Sequence, residues 1–458
     1  MSAILFHGGR VHVRGGQSAE ALLARDGRVA AVGRASELGR EASGAERVDL
    51  RGGLMVPGWF DAHVHLMWWG FQMREVDLRS AKTVDEALTV VATRAAALEP
   101  GRWLTGGRFD KNLWGRWPTA AELDRATGDR PTVLRSRDGH SRWLNTAALR
   151  GAGIDERTPV PDGGAIFRDE RGRPTGVLQE RANELADRAA PAVTEAECDD
   201  AVALAQAEAL KRGVTGVETL EQASSYAALR RMHARGKLAI RVEMGIPHRS
   251  LGQIAGILTQ APPGLKDQKG PVAGFDLESA LDSGMKTGDG DGWLRLGHVK
   301  FFTDGALGIV ASMQPIHATS DRDLADRYWG PQRTPRAYPW RTLLERGAVL
   351  AFGSDAPVEP IDPLLGIHAA VTRKRPSDRD AWTPGQRLTL DEALAAYSAG
   401  CAYATARERE WGTLEPGMRC DATVVDRDLA TLRGDDILAA RVRGTITDGV
   451  VRFADGLG

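Results

Sequence analysis

The chain has 458 residues, enough for a large core, and its 60 basic and 61 acidic residues almost balance. This balance argues against a nucleic-acid-binding surface and favours a small-molecule substrate. No apolar run reaches the roughly 18 residues of a membrane span, and no basic region precedes an apolar core at the start. The three cysteines are too far apart for a disulfide framework or a Cys-x-x-Cys metal site. We therefore expect a cytoplasmic protein of two domains that has neither nucleic acid nor membrane as a partner.

Short strands separated by glycine-rich turns are predicted at both ends of the chain. The candidates are residues 3–6, 10–13, 20–24, 28–32 and 47–50 near the start, and 422–426, 442–447 and 450–453 near the end. Two such sets can pair into one sheet structure that flanks a central body. We predict a composite β-sandwich domain from residues 1–55 and 412–458.

Between these ends, apolar strand-like runs alternate with helical stretches, which predicts βα repeats around a parallel sheet. The strand candidates are residues 54–65, 132–136, 214–219, 240–246, 297–303, 309–313 and 349–353, and the helix candidates are 84–98, 195–212 and 389–399. The last helix begins with a Thr-x-x-Glu capping box, Thr389 to Glu392. We predict a barrel domain over residues 56–411, with an insertion around residues 100–190.

A His-x-His pair, His63 and His65, closes the apolar run that follows Pro57-Gly58. Residues i and i+2 of a strand share a face, so both imidazoles can reach one cation. Neutral imidazole suits borderline divalent metals such as zinc, and Asp61 is expected on the same face. The pattern favours a metal hydrolase over a structural pair of strand histidines.

Five segments in order along the chain resemble the amidohydrolase superfamily, and more closely its family 3, the YtcJ-like metal-dependent hydrolases. They are residues 56–65 (VPGWFDAHVH), 137–145 (RDGHSRWLN), 299–305 (VKFFTDG), 312–315 (SMQP) and 353–358 (GSDAPV). The resemblance implies an α/β fold, a TIM-like (β/α)8 barrel with its metal site at the carboxyl ends of the strands, beside a small β-sandwich.

By this resemblance, His63, His65, Lys300 and Asp355 are ligands of one or two divalent ions, most simply zinc. Lys300 matches a lysine that is carbamylated to make a bridging carboxylate, which requires an uncharged amine and therefore a lowered pKa. Asp355 matches the catalytic aspartate that binds metal and accepts a proton from the attacking water. The alternatives are a strand-end lysine paired with Asp304 and an aspartate that only forms a turn.

The resemblance also makes His140 a catalytic residue that polarises the scissile carbonyl, although a loop histidine bonded to Asp138 is an equally good interpretation. Tryptophans such as Trp69 form pocket walls or simply fill core. The residues predicted to line the substrate pocket are Trp69, Asp138, Asn145, Asp304 and His317.

One part of the family pattern is missing. The resemblance implies two more histidines, on a fifth and a sixth barrel strand, yet the sequence runs from Asp304 through Gly308 directly into the next motif. About two βα units are therefore predicted to be absent. A natural deletion, an error in the gene sequence, or a smaller barrel with substitute ligands would explain this, and His317 is the nearest substitute. Unpaired strand edges would then lower stability, and turnover would be low or absent.

The predicted function is hydrolysis of a non-peptide carbon–nitrogen bond by a metal-activated water. The alternatives are a metal-dependent deaminase or cyclic-amide hydrolase, and a non-catalytic remnant that acts as a binding or oligomerisation partner. The oligomeric state stays open, with a homodimer as one alternative.

Overall fold

The computed structural model describes residues 3–13, 17–221, 223–247, 286–300, 310–376 and 378–458, with the backbone alone at residues 17, 247 and 298–300. The described residues form two compact units. Unit 1 contains those up to Leu66 and from Val202 onward, and unit 2 contains Met67–Ala201.

The strands of the described residues are β1 (Ala3–His7), β2 (Arg10–Val13), β3 (Gln17–Ala19), β4 (Ala21–Arg25), β5 (Arg28–Gly33), β6 (Glu46–Asp49), β7 (Leu54–Pro57), β8 (Trp59–Val64), β9 (Val76–Asp77), β10 (Leu104–Phe109), β11 (Thr132–Ser136), β12 (Ser141–Leu144), β13 (Gly164–Arg168), β14 (Pro174–Glu180), β15 (Val214–Thr219), β16 (Arg241–Pro247), β17 (Leu294–Lys300), β18 (Val310–Met313), β19 (Val349–Phe352), β20 (Ala422–Val425), β21 (Val442–Thr447) and β22 (Val450–Ala454).

The helices are α1 (Ala35–Glu41), α2 (Leu66–Arg74), α3 (Val84–Ala96), α4 (Lys111–Trp114), α5 (Ala120–Thr127), α6 (Thr146–Gly151), α7 (Asn183–Ala189), α8 (Glu195–Lys211), α9 (Ala223–Ala234), α10 (Pro315–Ser320), α11 (Arg322–Trp329), α12 (Trp340–Glu345), α13 (Pro363–Thr372), α14 (Leu390–Ala396) and α15 (Ala399–Ala404). Single 3-10 turns occur at Thr334–Arg336, Pro384–Gln386, Leu429–Thr431 and Gly434–Ala439. None of the helices in the described ranges combines the length and the apolar character needed to cross a bilayer.

In unit 1, strands from both ends of the chain share one six-stranded sheet, in the order β22-β21-β20-β7-β2-β3. The antiparallel pairing of β20 with β7 joins the two ends. A four-stranded sheet, β5-β4-β1-β6, contributes Phe6 and Leu22 to the same buried cluster as Met55 and Ile446 of the first sheet. The boundaries 1–55 and 412–458 stay a prediction, and β7 lies across the first of them.

Parallel strands form the other part of unit 1. They are ordered β17-β16-β15-β8 in one sheet and β18-β19 in another, and a parallel bridge joins Val64, the last residue of β8, to Ala356, which follows β19. Side chains of β8 are buried on both faces, as expected of a parallel strand covered by helices. No pairing joins β17 to β18 among the described residues, and 301–309 lie outside them. Closure of the barrel and the absence of two βα units therefore stay predictions.

Unit 2 is built around a six-stranded mixed sheet, in the order β13-β14-β12-β11-β10-β9. The strands from β9 to β11 are parallel, and the pairings from β11 to β13 are antiparallel. Phe109, Leu134 and Trp143 belong to a hydrophobic cluster that packs this sheet against α3 and α5. Unit 2 extends beyond the insertion predicted around residues 100–190 at both ends.

Local signals explain where several elements begin. The capping box at Thr389 is confirmed, because Thr389 Oγ1 accepts from the Glu392 amide and the Glu392 side chain accepts from the Thr389 amide. The prediction of one helix over 389–399 was wrong, because the chain leaves helical geometry at Ser398, at a φ of −137° and a ψ of −90°, between α14 and α15.

The prediction of one strand over 54–65 was also wrong, because Gly58 separates β7 from β8. At Gly58 the amide donates to the Asp421 carbonyl, and an added Cβ would lie 2.4 Å from Thr215 Oγ1. The chain therefore passes from the sheet of the chain ends to the parallel strands at a point where only glycine fits.

Candidate metal centre

The candidate metal centre lies where β8 and the segment after β19 end side by side. The Asp355 amide donates to the His63 carbonyl at 2.6 Å, and the His65 amide donates to the Ala356 carbonyl at 2.7 Å. On the other side, the Leu220 amide donates to the Val64 carbonyl at 3.0 Å. Backbone pairing on both sides thus fixes the strand end that carries the two histidines.

Three side chains converge at this point. His63 Nε2 lies 3.4 Å and His65 Nε2 lies 3.3 Å from the same oxygen, Asp355 Oδ1. The two imidazole rings are nearly perpendicular, with centroids 5.9 Å apart. Among the described residues, this is the group of histidine and acidic side chains whose ligand atoms lie within 4.8 Å of one another. All three side chains are partly buried, between 15% and 22% exposed.

The ring orientation of His65 is set by its second nitrogen. His65 Nδ1 lies 2.8 Å from the Leu220 carbonyl oxygen. Because a carbonyl oxygen only accepts, Nδ1 carries a proton, and Nε2 on the other side of the ring faces Asp355 Oδ1. A proton or a cation between Nε2 and the carboxylate oxygen, which are 3.3 Å apart, joins the two groups.

Asp355 is held in an uncommon backbone conformation and in an electropositive setting. Its φ of 59° lies in the left-handed region, which aspartate enters more readily than most residues. Burial raises the pKa of Asp355, but a hydrogen bond with His65 and the nearby imidazoles of His63, His65 and His317 bring it below its ordinary value. The carboxylate is therefore ionised at neutral pH.

A buried carboxylate ties the two strand ends together beneath these groups. Asp61 Oδ2 accepts from Ser354 Oγ at 2.5 Å, and Asp61 Oδ1 accepts from the backbone amides of His63 and Ser354 at 3.0 Å each. Burial raises the pKa of Asp61 to about 6, against the lowering effect of these hydrogen bonds. At Gly353 an added Cβ would lie 2.5 Å from the His63 amide nitrogen, so glycine permits the close approach.

His317 is the third histidine that the structure places beside Asp355. It lies on α10, and its Nε2 is 3.9 Å from Asp355 Oδ2, the other oxygen of the carboxylate. The side chain is 18% exposed. The sequence places this residue in the substrate pocket, and that role stays a prediction.

The remaining predicted ligand and one predicted pocket residue cannot be placed as side chains. The backbone of Lys300 ends β17, where it pairs with Pro247 of β16, while its side chain lies outside the described part. Asp304 also lies outside the described residues.

Four of the residues predicted for the catalytic site and the substrate pocket lie in unit 2. Trp69 is 7% exposed on α2. Asp138 accepts from Ser136 Oγ at 2.5 Å and from the His140 amide at 3.0 Å, and the His140 ring is exposed, with Nδ1 3.2 Å from Glu180 Oε1. The catalytic role of His140 and the pocket roles of Trp69 and Asp138 stay predictions.

Asn145 is fully buried, and its amide group is used within unit 2. Oδ1 accepts from the amides of Thr132 and Ala148, which makes Asn145 the N-cap of α6. Nδ2 donates to Thr127 Oγ1 and to the carbonyls of Gly128 and Arg130. These contacts give Asn145 a structural role, and its predicted pocket role has no support beyond the motif.

Ser354 and its bond to Asp61 were missed by the sequence prediction. The signal was weak, because Ser354 stands inside the predicted Gly-Ser-Asp motif but its partner is 293 residues away. A hydrogen bond that supports the site can be sought at two positions in the sequence. They are a serine directly before one predicted ligand and an aspartate two residues before another.

Known proteins are similar to this chain over nearly its whole length. A family model described as "Amidohydrolase family" matches residues 46–310 and 305–453. The chain is 27% identical to the Bacillus subtilis (strain 168) protein YtcJ, which bears the name of an amidohydrolase, with 98% of this chain and 99% of YtcJ aligned. It is 28% identical to the N-substituted formamide deformylase of Arthrobacter pascens, with 95% of each chain aligned.

A solved structure shows the same fold. An uncharacterized metal-dependent hydrolase from Pyrococcus horikoshii OT3 superposes with a TM-score of 0.73 at 23% identity, covering 94% of this chain and 99% of that one. The chain therefore has the α/β fold of that hydrolase.

Proposed function

Since this chain belongs to the amidohydrolase family, we propose that it is a metal-dependent hydrolase that cleaves a non-peptide carbon–nitrogen bond with water. The family and the hydrolase relatives make it an enzyme by class. The observation that carries the proposal is that His63 Nε2 and His65 Nε2 lie 3.4 and 3.3 Å from the same oxygen, Asp355 Oδ1.

The donor set fits a divalent cation such as zinc. Two imidazoles and a carboxylate are ligands that zinc takes in catalytic sites, which keep one position open for water. Zinc–ligand bonds of about 2.0–2.1 Å in a tetrahedron separate neighbouring ligand atoms by about 3.3–3.4 Å. The distances from Asp355 Oδ1 to the two imidazole nitrogens match this edge, and the bond from His65 Nδ1 to the Leu220 carbonyl orients the ring as ligating histidines require.

The roles of the chain's own groups follow from their positions. When bound, a divalent cation polarises the scissile carbonyl and lowers the pKa of a water molecule. Asp355, kept ionised by its lowered pKa, accepts the proton of the attacking water at its carboxylate and returns it to the leaving nitrogen. Asp61 and Ser354 hold the strand ends so that the ligand atoms keep their separations.

The finer assignments rest on the resemblance. In this proposal a carbamylated Lys300 is a further ligand, His140 polarises the carbonyl, and Trp69, Asp138, Asn145, Asp304 and His317 line a pocket for a small molecule. A cytoplasmic location stays a prediction from the sequence. The deformylase relative makes N-substituted formamides the first substrate class to test.

We also propose that a segment of about two βα units is absent near Gly308. The family match falls into two pieces that meet at residues 305–310. The alignment with YtcJ runs over 528 positions against a chain of 458 residues, so at least 70 positions have no counterpart here. Activity well below that of full-length relatives is the expected consequence. Sequencing the genomic DNA across the codons for Gly305 to Met313 tests whether the junction is natural.

The experiment that tests the function is a metal analysis joined to a hydrolysis assay. Purified chain should contain at least about one equivalent of divalent metal, and chelation should abolish release of amine from an N-substituted formamide panel. His63→Ala should lose both metal and activity, whereas His233→Ala removes a histidine paired with Asp291 at 2.7 Å and should keep both. A chain that binds no metal and shows no chelator-sensitive hydrolysis would refute the proposal.

A further inference from the structure

A hydrogen-bonded turn in unit 1 holds the carbonyl group that the His65 ring contacts. This is the carbonyl of Leu220, which accepts from His65 Nδ1 at 2.8 Å. Leu220 directly follows β15, and the side chains of the residues before and after it are joined, because Thr219 Oγ1 donates to Glu221 Oε2 at 3.0 Å. The bond closes a small ring around Leu220. It therefore restricts the backbone rotation that would turn the carbonyl away from His65.

The same threonine also holds the residue that follows His65. Thr219 Oγ1 accepts from the Leu66 amide at 3.2 Å, at the start of α2, where a backbone amide has no acceptor within the helix. On the other side of His65, the Leu220 amide donates to the Val64 carbonyl at 3.0 Å. One short segment at the end of β15 thus holds both the backbone around His65 and the carbonyl that its ring contacts.

Glu221 anchors this segment in the interior of unit 1. Its Oε2 also accepts from Ser225 Oγ at 2.7 Å, and Ser225 lies in the first turn of α9. Glu221 is 1% exposed, and Thr219 and Ser225 are fully buried. Buried hydroxyl groups that lose their acceptor are costly, since water does not replace it. Glu221 is therefore the acceptor that keeps both hydroxyl groups, and with them the turn, in place.

We propose that Glu221 is a positioning residue of the metal centre, which acts through Thr219 on the Leu220 carbonyl and so on the ring of His65. The inference rests on the proposed function, because the ring orientation matters only if His65 is a metal ligand. Partners that orient a ligating histidine typically change metal affinity by about 10–100-fold when they are removed. In this role Glu221 does not touch the metal.

The test measures the affinity of the intact chain for Co²⁺ alone, after a chelator has stripped the protein of metal. Competition with a chromogenic chelator gives the affinity, and the visible absorption of bound Co²⁺ reports the geometry of its ligands. Glu221→Ala should bind Co²⁺ about 10–100-fold more weakly than the natural chain, with a changed absorption spectrum. Thr219→Val, which replaces the hydroxyl by a methyl group of similar size, should show a loss in the same range.

Two comparisons separate positioning from a loss of stability. If Glu221 acts through Thr219, the losses are not additive, and the double variant should bind at most about threefold more weakly than Thr219→Val alone. Thr445 provides the matched control, because it is fully buried in unit 1 and donates to the Leu210 carbonyl at 2.6 Å. Thr445→Val should keep the natural affinity and spectrum. Thermal unfolding of the metal-free forms shows whether each variant is folded.

The outcomes distinguish this inference from the proposed function. A natural chain that binds no Co²⁺ refutes the proposed function itself. If the natural chain binds Co²⁺ and both Glu221→Ala and Thr219→Val bind it as tightly, the inference alone is overturned. Losses that add up in the double variant, or an equal loss in Thr445→Val, also overturn it. If Glu221→Ala does not fold, the affinity of Thr219→Val against that of Thr445→Val decides.

Discussion

The candidate metal centre and a buried ion-pair network, both in unit 1, each contain carboxylates but differ in the groups that face those carboxylates. In the network, Arg241 donates to Asp421 at 2.5 and 2.9 Å and to Asp448 at 2.6 Å, and Arg407 donates to Glu243 at 3.1 Å. Each carboxylate there meets a guanidinium that carries N–H donors. The network therefore stabilises the fold without needing a ligand.

At the metal centre the arrangement is reversed. The Nε2 atoms of His63 and His65 lie 3.4 and 3.3 Å from the same oxygen, Asp355 Oδ1, and His65 Nδ1 is bonded to the Leu220 carbonyl, so that Nε2 is the nitrogen that can meet a ligand. Acceptors that face acceptors are costly unless a cation or a proton joins them. The carboxylates of the network face guanidinium donors, whereas the carboxylate of the metal centre faces imidazole nitrogens. This contrast, more than the presence of charge, distinguishes a binding site from a structural network.

Substitutions that break the network should have the largest effect on stability. Asp421→Ala leaves the guanidinium of Arg241, which is 2% exposed, with Asp448 as its one carboxylate partner in the described structure, and should lower the free energy of unfolding by about 3–5 kcal/mol. Denaturant unfolding measures this loss. The folded variant should bind metal as the natural chain does, since Asp421 contacts no residue of the metal centre in the described part.

An exposed ion pair provides the control for Asp421→Ala. Asp428 lies 2.5 Å from Arg10, whose side chain is 56% exposed, and Arg10→Ala should change the free energy of unfolding by less than about 1 kcal/mol. Equal losses in the two variants would mean that burial does not set the strength of the Arg241 pairs.

The next largest effect is expected at Asn145 in unit 2. Asn145→Ala removes the N-cap of α6 and leaves two buried backbone amides, of Thr132 and Ala148, without an acceptor. The free energy of unfolding should fall by about 2–3 kcal/mol. Asn112→Ala, at an exposed position whose Oδ1 accepts only from Lys111 in the described structure, is the control and should cost under about 0.5 kcal/mol. Natural stability with weakened substrate binding would instead favour the predicted pocket role.

A smaller effect is expected from Ser354→Ala, and it should appear in metal affinity. The variant removes the bond from Ser354 Oγ to Asp61 and frees the strand end that carries Asp355. Loss of such an outer contact typically weakens metal binding by about 10–100-fold. Competition with a chromogenic chelator measures the affinity. Ser398→Ala removes a buried serine bonded to the Leu394 carbonyl and should leave it unchanged.

The features of this protein that can be predicted from its sequence are those whose pattern lies within one short segment. The strand 214–219 and the start of α14 follow from apolar runs and a capping box, and both are present at those residues. His63, His65 and Asp355 are recognised from short motifs, and the structure brings them together although 290 residues of sequence separate His65 from Asp355.

Features that depend on distant partners could not be predicted in the same way. The sheet of unit 2 contains β9, only two residues long, and the pair β12–β14, whose strands are joined by a helix and a further strand. β9 is too short to show strand periodicity, and the pairing of β12 with β14 depends on how two separate segments meet. The bond between Ser354 and Asp61, and the approach of His317 to Asp355, depend on how strand ends and α10 meet in space. No local pattern encodes these contacts.

The smallest expected effect concerns the pH dependence of the Asp138 turn in unit 2. Burial raises the pKa of Asp138, but hydrogen bonds from Ser136 Oγ and the His140 amide bring it below its ordinary value. Because the folded pKa is lowered, its stabilising contribution is present above the ordinary value of 3.8 and is lost as the pH falls through the folded pKa. Asp138→Asn should therefore be less stable than the natural chain at pH 6 and should approach it as the pH falls below about 4. Urea unfolding at a series of pH values measures the gap between the two proteins. A gap that stays constant over this range would show that ionised Asp138 does not hold the turn, and a gap that widens on acidification would reverse the sign of the shift.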